Sequence, residues 1–226
     1  MSDLPAIGVL RLGQEQCPVV VIDKFAGSAD RWRDEAAGDG FAFRGDFYPG
    51  KRKHVGSAYF DDIGRRLGSI LRTVYGCTRS LKVDRALYSI VSTSPDQLSL
   101  AQRIPHIDDV SAQAFAMVHY LSDAPFGGTA FYRHRSTGLA RIFADNHQDY
   151  LSALELDLAK HGTPQPAYVN DSTPVFERIG EAGFVYNRAV IYPCNLLQCS
   201  IVPQHIDHPD DPQKGRLTIA AFFVAS

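Results

Sequence analysis

The chain of 226 residues lacks several things, and each absence removes a class of protein. No run of about 18 apolar residues occurs, so no membrane-spanning helix is expected. No basic stretch stands out and the net charge is −2, which argues against a nucleic-acid binder. The first ten residues, MSDLPAIGVL, carry an acid where a secretory leader carries basic residues, so a cytoplasmic location is expected. Cysteine is scarce. Cys17, Cys77, Cys194 and Cys199 match no zinc spacing, and reduced thiols are the simplest reading. Internal repeats and low-complexity tracts are missing as well. What is present is an ordinary globular composition, 45% hydrophobic and 21% charged. That is enough apolar side chain for a sizeable core without a disulfide or metal staple.

The apolar pattern changes character along the chain. In the first eighty residues it predicts mainly helix, with one short strand at Val19–Ile22. Ser28 is placed to cap a helix running to about Ala37. Ser57–Tyr75 repeats Phe60, Ile63, Leu67, Ile70, Leu71 and Val74 at helical spacing and stops at Gly76. Between these helices, FAFRGDFYPG (41–50) is aromatic and turn-rich, and reads as a loop or short strand. From residue 81 onward the pattern predicts roughly eight short strands. They are Leu81–Thr93, Ala112–Leu121, Thr129–Tyr132, Val175–Ile179, Phe184–Tyr186, Ala189–Tyr192, Leu196–Ile201 and Leu217–Val224, with a helical insertion near 143–161. The expected fold class is mainly β (α+β) in a single domain, 1–226. The N-terminal helical layer, 1–80, would pack on one sheet of a sandwich or barrel, for which a jelly roll is a common solution.

The stretch QRIPHIDD (102–109) concentrates the chemistry. His106 and Asp108 stand two apart, and in extended chain such residues share a face, so an imidazole and a carboxylate converge. They are two of the three ligand types of a 2-His-1-carboxylate iron site, although a solvated turn with a capping Asp would read the same. Arg216 opens the last strand, with Thr218 on the same face. A guanidinium fork beside a hydroxyl suits a carboxylate, and a surface Arg at a strand end is the plain alternative.

Taken in order, His106-x-Asp108, GGTAFY (127–132), NLLQCS (195–200) and GRLT (215–218) resemble the Fe(II)- and 2-oxoglutarate-dependent dioxygenases. QRIPHID and FYRHRSTG (131–138) look like local signatures of a bacterial group distantly similar to prolyl hydroxylases. The resemblance spans most of the chain, from about Val19 to Phe223. It implies a double-stranded β-helix and an oxidoreductase using Fe(II), 2-oxoglutarate as co-substrate, and oxygen. It makes His106 and Asp108 metal ligands, and it gives Arg216, Thr218 and Tyr88 to the 2-oxoglutarate carboxylate. In one place the chain departs from the family. Gln198 stands where the second histidine is expected, and a neutral amide is a weaker iron ligand than imidazole.

Other histidines could complete such a site. His205 and His208 lie in the polar, proline-rich loop VPQHIDHPDDPQKG (202–215), which is where solvated residues collect. His119, inside an apolar run, reads as a satisfied core histidine. His134, between Arg133 and Arg135, fits an anion site or a solvated basic turn equally. The aromatic stretch around Tyr48 suits a substrate mouth or rim packing. The expected function is therefore a 2-oxoglutarate-dependent oxygenase acting on a small molecule or peptide, with no nucleic-acid or membrane partner. The rival is a non-catalytic jelly-roll binding protein whose metal site Gln198 has spoiled, and a cupin-like metal enzyme needing no 2-oxoglutarate is a third reading.

Overall fold

The helices form where the apolar spacing demands them. α1 (Ala29–Ala36) buries Ala29, Trp32 and Ala36, one stripe of an amphipathic helix. α2 (Ala58–Tyr75) buries Tyr59, Ile63, Leu67, Ile70 and Leu71 and ends at Gly76, whose φ of 69° needs a residue without Cβ. There the amide of Gly76 donates to the Arg72 carbonyl (3.1 Å) and that of Cys77 to the Leu71 carbonyl (3.0 Å). Asp62 ties the two helices together, accepting from the backbone of Gly27 and Ser28 and from the Trp32 indole (2.8 Å). The computed structural model describes residues 6–42, 47–78, 80–123, 126–204 and 209–225.

Ten strands follow in chain order: β1 (Ile7–Leu12), β2 (Cys17–Ile22), β3 (Gly50–His54), β4 (Leu81–Val91), β5 (Ala114–Tyr120), β6 (Thr129–His134), β7 (Phe176–Ala182), β8 (Ala189–Pro193), β9 (Gln198–Ser200) and β10 (Leu217–Ala225). α3 (His147–His161) lies between β6 and β7. The strands make a large antiparallel sheet, β1-β2-β8-β5-β10-β4-β3, and a small one, β7-β6-β9. β10 shows how period-two alternation feeds two layers. Its Leu217, Ile219, Ala221 and Phe223 pack with α1 and α2, while Ala220 and Phe222 face the small sheet alongside Phe131 and Tyr192. The far side of the small sheet, through Tyr132, Phe176 and Leu197, packs on Tyr150 of α3.

Two expectations change. The first eighty residues are not only a helical layer, because β1, β2 and β3 join the large sheet and β1 and β3 form its two edges. β3 reads GKRKH, and edge strands often carry such charges, so its sequence lacks the apolar signal of a strand. Phe184–Tyr186, expected as a strand, lies outside regular structure. Its apolar character serves packing instead, since the Phe184 ring stacks on Tyr120 at 4.5 Å. No helix among the described residues is long and apolar enough to cross a membrane.

Candidate functional site

The cavity between the two sheets holds the chemistry predicted from QRIPHIDD. Its volume is about 440 Å³, and His106, Asp108, Gln198 and Thr218 line it together with Arg52, Arg85 and several aromatic rings. Local backbone pairing sets the geometry. His106 and Gln198 form an antiparallel bridge, exchanging amide-to-carbonyl hydrogen bonds of 3.0 and 2.9 Å. Two residues on, the Asp108 amide donates to the Cys194 carbonyl (2.8 Å). The extended stretch between them puts both side chains on the cavity side, facing β9.

The three side chains meet there. The Gln198 amide nitrogen lies 3.2 Å from His106 Nε2 and 3.3 Å from Asp108 Oδ2, donating to both. Burial dominates the titration of the pair. It raises the Asp108 carboxyl to about 6, against the pull of Arg52, Arg85 and Gln198. Burial, then Arg52, lowers the His106 imidazole to about 4, against the Ile104 carbonyl. Oxygen and nitrogen of a side-chain amide are assigned from their hydrogen-bond partners, and turning this one over would present Gln198 Oε1 to the same point. A carboxylate, an imidazole and an amide oxygen would then face one position, a donor set that an iron ion can accept, more weakly than one with a second imidazole. Among the described residues no group of three or more His, Cys, Asp or Glu could hold a metal, so a third ligand drawn from these residues would have to be the Gln198 amide.

Arg216 and Thr218 occupy the same face of the final strand, and Arg216 is fully buried. Its Nε donates to the Gly127 carbonyl (3.0 Å) and its Nη2 to that of Gly128 (3.1 Å), while Nη1 is buried without a partner. The Tyr48 hydroxyl is buried beside Arg216 and Thr218 without closing a hydrogen bond of good geometry to either. Burial raises its pKa, against the pull of Arg216, Arg52 and Thr218. An unpaired guanidinium nitrogen and an unpaired phenol, both buried, are costly unless something accepts from them, and a carboxylate would do so. Arg216 does not itself line the cavity, but Tyr48 and Thr218 do.

Tyr88 does not join this group. It sits one residue from Leu87 on β4 and therefore points to the opposite face, into the helical layer with Trp32 and Tyr59. The phenol near Arg216 is Tyr48, from the stretch read as a loop or short strand. Arg52 was missed as well. On β3 it pairs with Ser89 and shares the cavity face, whereas Lys51 and Lys53 flank it on the other. Only the alternation within KRK hinted at this. His119 is a core histidine: Nδ1 lies 3.0 Å from the Tyr59 hydroxyl and Nε2 3.0 Å from Asn187 Oδ1. His134 is fully buried, 3.0 Å from Thr137 Oγ1 and 3.2 Å from Asp157, with Tyr150 and Phe176 around its ring. Its neighbour Arg133 pairs with Glu177, so His134 is a packed interior residue, while Arg135 sits exposed in the turn that follows. His205 and His208 lie outside the described residues.

Against proteins of known structure, the chain resembles HygX from Streptomyces hygroscopicus. The likeness to the iron-bound form has a TM-score of 0.54 at 13% identity, covering 92% of this chain and 82% of that one. To the form with nickel, 2-oxoglutarate and hygromycin B bound, the TM-score is 0.51 at 14% identity, with the same coverage. At such identity the likeness speaks for the fold. A search of curated protein sequences found no match. The profile of DUF6445, a family of unknown function, matches residues 4–223, so the chain belongs to the DUF6445 family.

Proposed function

We propose that the protein is an Fe(II)- and 2-oxoglutarate-dependent oxygenase with a double-stranded β-helix core, whose metal is held by His106, Asp108 and the amide of Gln198. The observation that carries this reading is the meeting of those three side chains in one cavity whose wall also carries Tyr48, with the buried Arg216, one of its nitrogens unpartnered, beside that phenol. The fold shared with HygX, whose structures hold iron or nickel with 2-oxoglutarate, supports it. Bound there, iron and 2-oxoglutarate would supply the oxidising chemistry for an unactivated C–H bond.

The chain's own part is binding, orientation and exclusion of water. His106 and Asp108 fix the position of the metal. Arg216, Thr218 and Tyr48 fix the far carboxylate of the co-substrate. Aromatic walls keep bulk water out and strengthen each charged contact. A second reading rests on the same amide: as it stands, Gln198 donates to His106 Nε2 and to the Asp108 carboxylate, which is how a binding protein without metal would use it. Anaerobic titration with Fe(II) and 2-oxoglutarate separates the two. The oxygenase gives the visible charge-transfer band of the chelate and, on admitting air, succinate. The binding protein gives neither.

A further inference from the structure

Arg52 is the charged group of the cavity that the proposed chemistry leaves unused. Its guanidinium lies over the Tyr48 ring at 4.3 Å, and its Nε is buried without a hydrogen-bond partner. Burial lowers its pKa, against the opposing effects of Tyr48 and Asp108. Among the described residues no carboxylate forms an ion pair with it. Arg85, on the same wall, differs: Asp84 accepts from it at 2.7 Å, and it stacks on Phe222 at 4.1 Å. A largely desolvated guanidinium on a cavity wall, with one nitrogen unpartnered, is costly unless an anion completes it.

Charge matching identifies which anion. With iron and 2-oxoglutarate in place, the dianion and Asp108 together offset the metal and Arg216, and Arg52 alone keeps an unmatched positive charge. The cavity, at about 440 Å³, exceeds what a five-carbon diacid fills, and a large part of its remaining wall is apolar or aromatic, with Phe47, Tyr48, Tyr168, Leu87 and Phe222. Phe47 stacks on His106 at 5.1 Å, which brings an apolar surface up to the proposed metal position.

We infer that the substrate is a small molecule with an apolar body and one carboxylate or phosphate group, and that Arg52 holds this group against the Tyr48 ring. The word substrate rests on the oxygenase reading, whereas the anion site stands on the cavity alone.

Phenylacetate and phenyl phosphate probe the two head groups. Their binding is measured by calorimetry on the full chain, anaerobically, with and without saturating Fe(II) and 2-oxoglutarate. At least one probe should bind. Arg52→Gln should weaken it by about 10- to 100-fold, the loss of one charge-assisted contact. Arg52→Lys should recover part of that loss, and 2-oxoglutarate affinity should stay within about threefold in both variants. The tighter probe assigns the head group. The inference is overturned if neither probe binds, if Arg52→Gln leaves probe affinity unchanged, or if it weakens 2-oxoglutarate as much as the probe. Arg52-dependent probe binding without any iron–2-oxoglutarate band would reject the oxygenase reading and keep the anion site.

Discussion

At the scale of single residues, Gln198 decides whether the cavity is a metal site. Gln198→His places an imidazole where the amide now bridges His106 and Asp108. The two side chains have similar reach, and imidazole suits Fe(II) better than a neutral amide. Iron affinity, measured by anaerobic competition with a chelator, should rise. The size of the gain depends on a neighbour that orients the new imidazole, a service commonly worth about 10–100-fold. Unchanged affinity would place the third ligand elsewhere, and then His205→Ala or His208→Ala should abolish binding. His119 gives a separate test through stability. Burial, outweighing its hydrogen bond to Asn187, lowers its pKa from 6.5 to about 4. The folded state therefore keeps it neutral between those values while the unfolded chain protonates. That stability is fully present above 6.5 and lost as pH falls towards 4, up to about 3 kcal/mol. His106, lowered in the same way, titrates in the same window and masks the effect in the wild type alone. The measurable quantity is the difference between wild type and His119→Gln in urea unfolding. It should shrink on going from pH 7 to pH 4, and a constant difference would mean that His119 is not held neutral.

At the scale of elements, the proposed carboxylate anchor depends on the Gly127–Gly128 segment that leads into β6. The Gly127 and Gly128 carbonyls hold two nitrogens of Arg216 and so aim the third. Neither glycine has room for a side chain: a Cβ on Gly128 would lie 1.9 Å from the Ala182 carbonyl oxygen, and one on Gly127 2.4 Å from that of Ile201. Gly128→Ala must push β6 from β7 and carry the Arg216 partners with it. It should cost about 1–3 kcal/mol in stability, as overpacking does, and weaken 2-oxoglutarate binding while leaving iron binding at His106 and Asp108 nearly intact. Equal loss of both ligands would show a general collapse. These elements also show what sequence can and cannot disclose. α2 and β10 were legible because one face of each is buried, and burial imposes a period. His106 and Asp108 were legible because two-residue spacing means one face. β3 was not, because an edge strand of charged residues carries no apolar period, and Arg52 was hidden with it. The misassigned Tyr88 fails by a single residue of register, since one step along β4 moves a side chain from the cavity to the helical layer.

At the scale of the whole molecule, the proposed ligands join two sheets. Gln198 belongs to the small sheet, and His106 is bridged to it, whereas Thr218 lies on the last strand of the large one and Arg216 immediately precedes that strand. In the proposed site, iron alone would touch only the first group. 2-Oxoglutarate, chelated at one end and anchored at the other, would clamp the sheets across the cavity. A ligand that binds only the folded state stabilises it by mass action, by about 2.7 kcal/mol at a hundred times its Kd. For a chain of this size that is roughly 5–10 °C in Tm. Anaerobic melting should therefore give a small rise with Fe(II), a small rise with 2-oxoglutarate alone, and a rise with both that exceeds the sum. Asp108→Asn removes the charged metal ligand without removing Arg216, so it should leave the small 2-oxoglutarate effect and abolish the excess. If the excess survives in Asp108→Asn, metal and co-substrate do not meet at this site. If 2-oxoglutarate has no effect with or without iron, the buried Arg216–Tyr48 pair is not a carboxylate anchor. The coupling between the ligands is the informative quantity, because two unrelated weak sites, one on each sheet, would raise Tm additively.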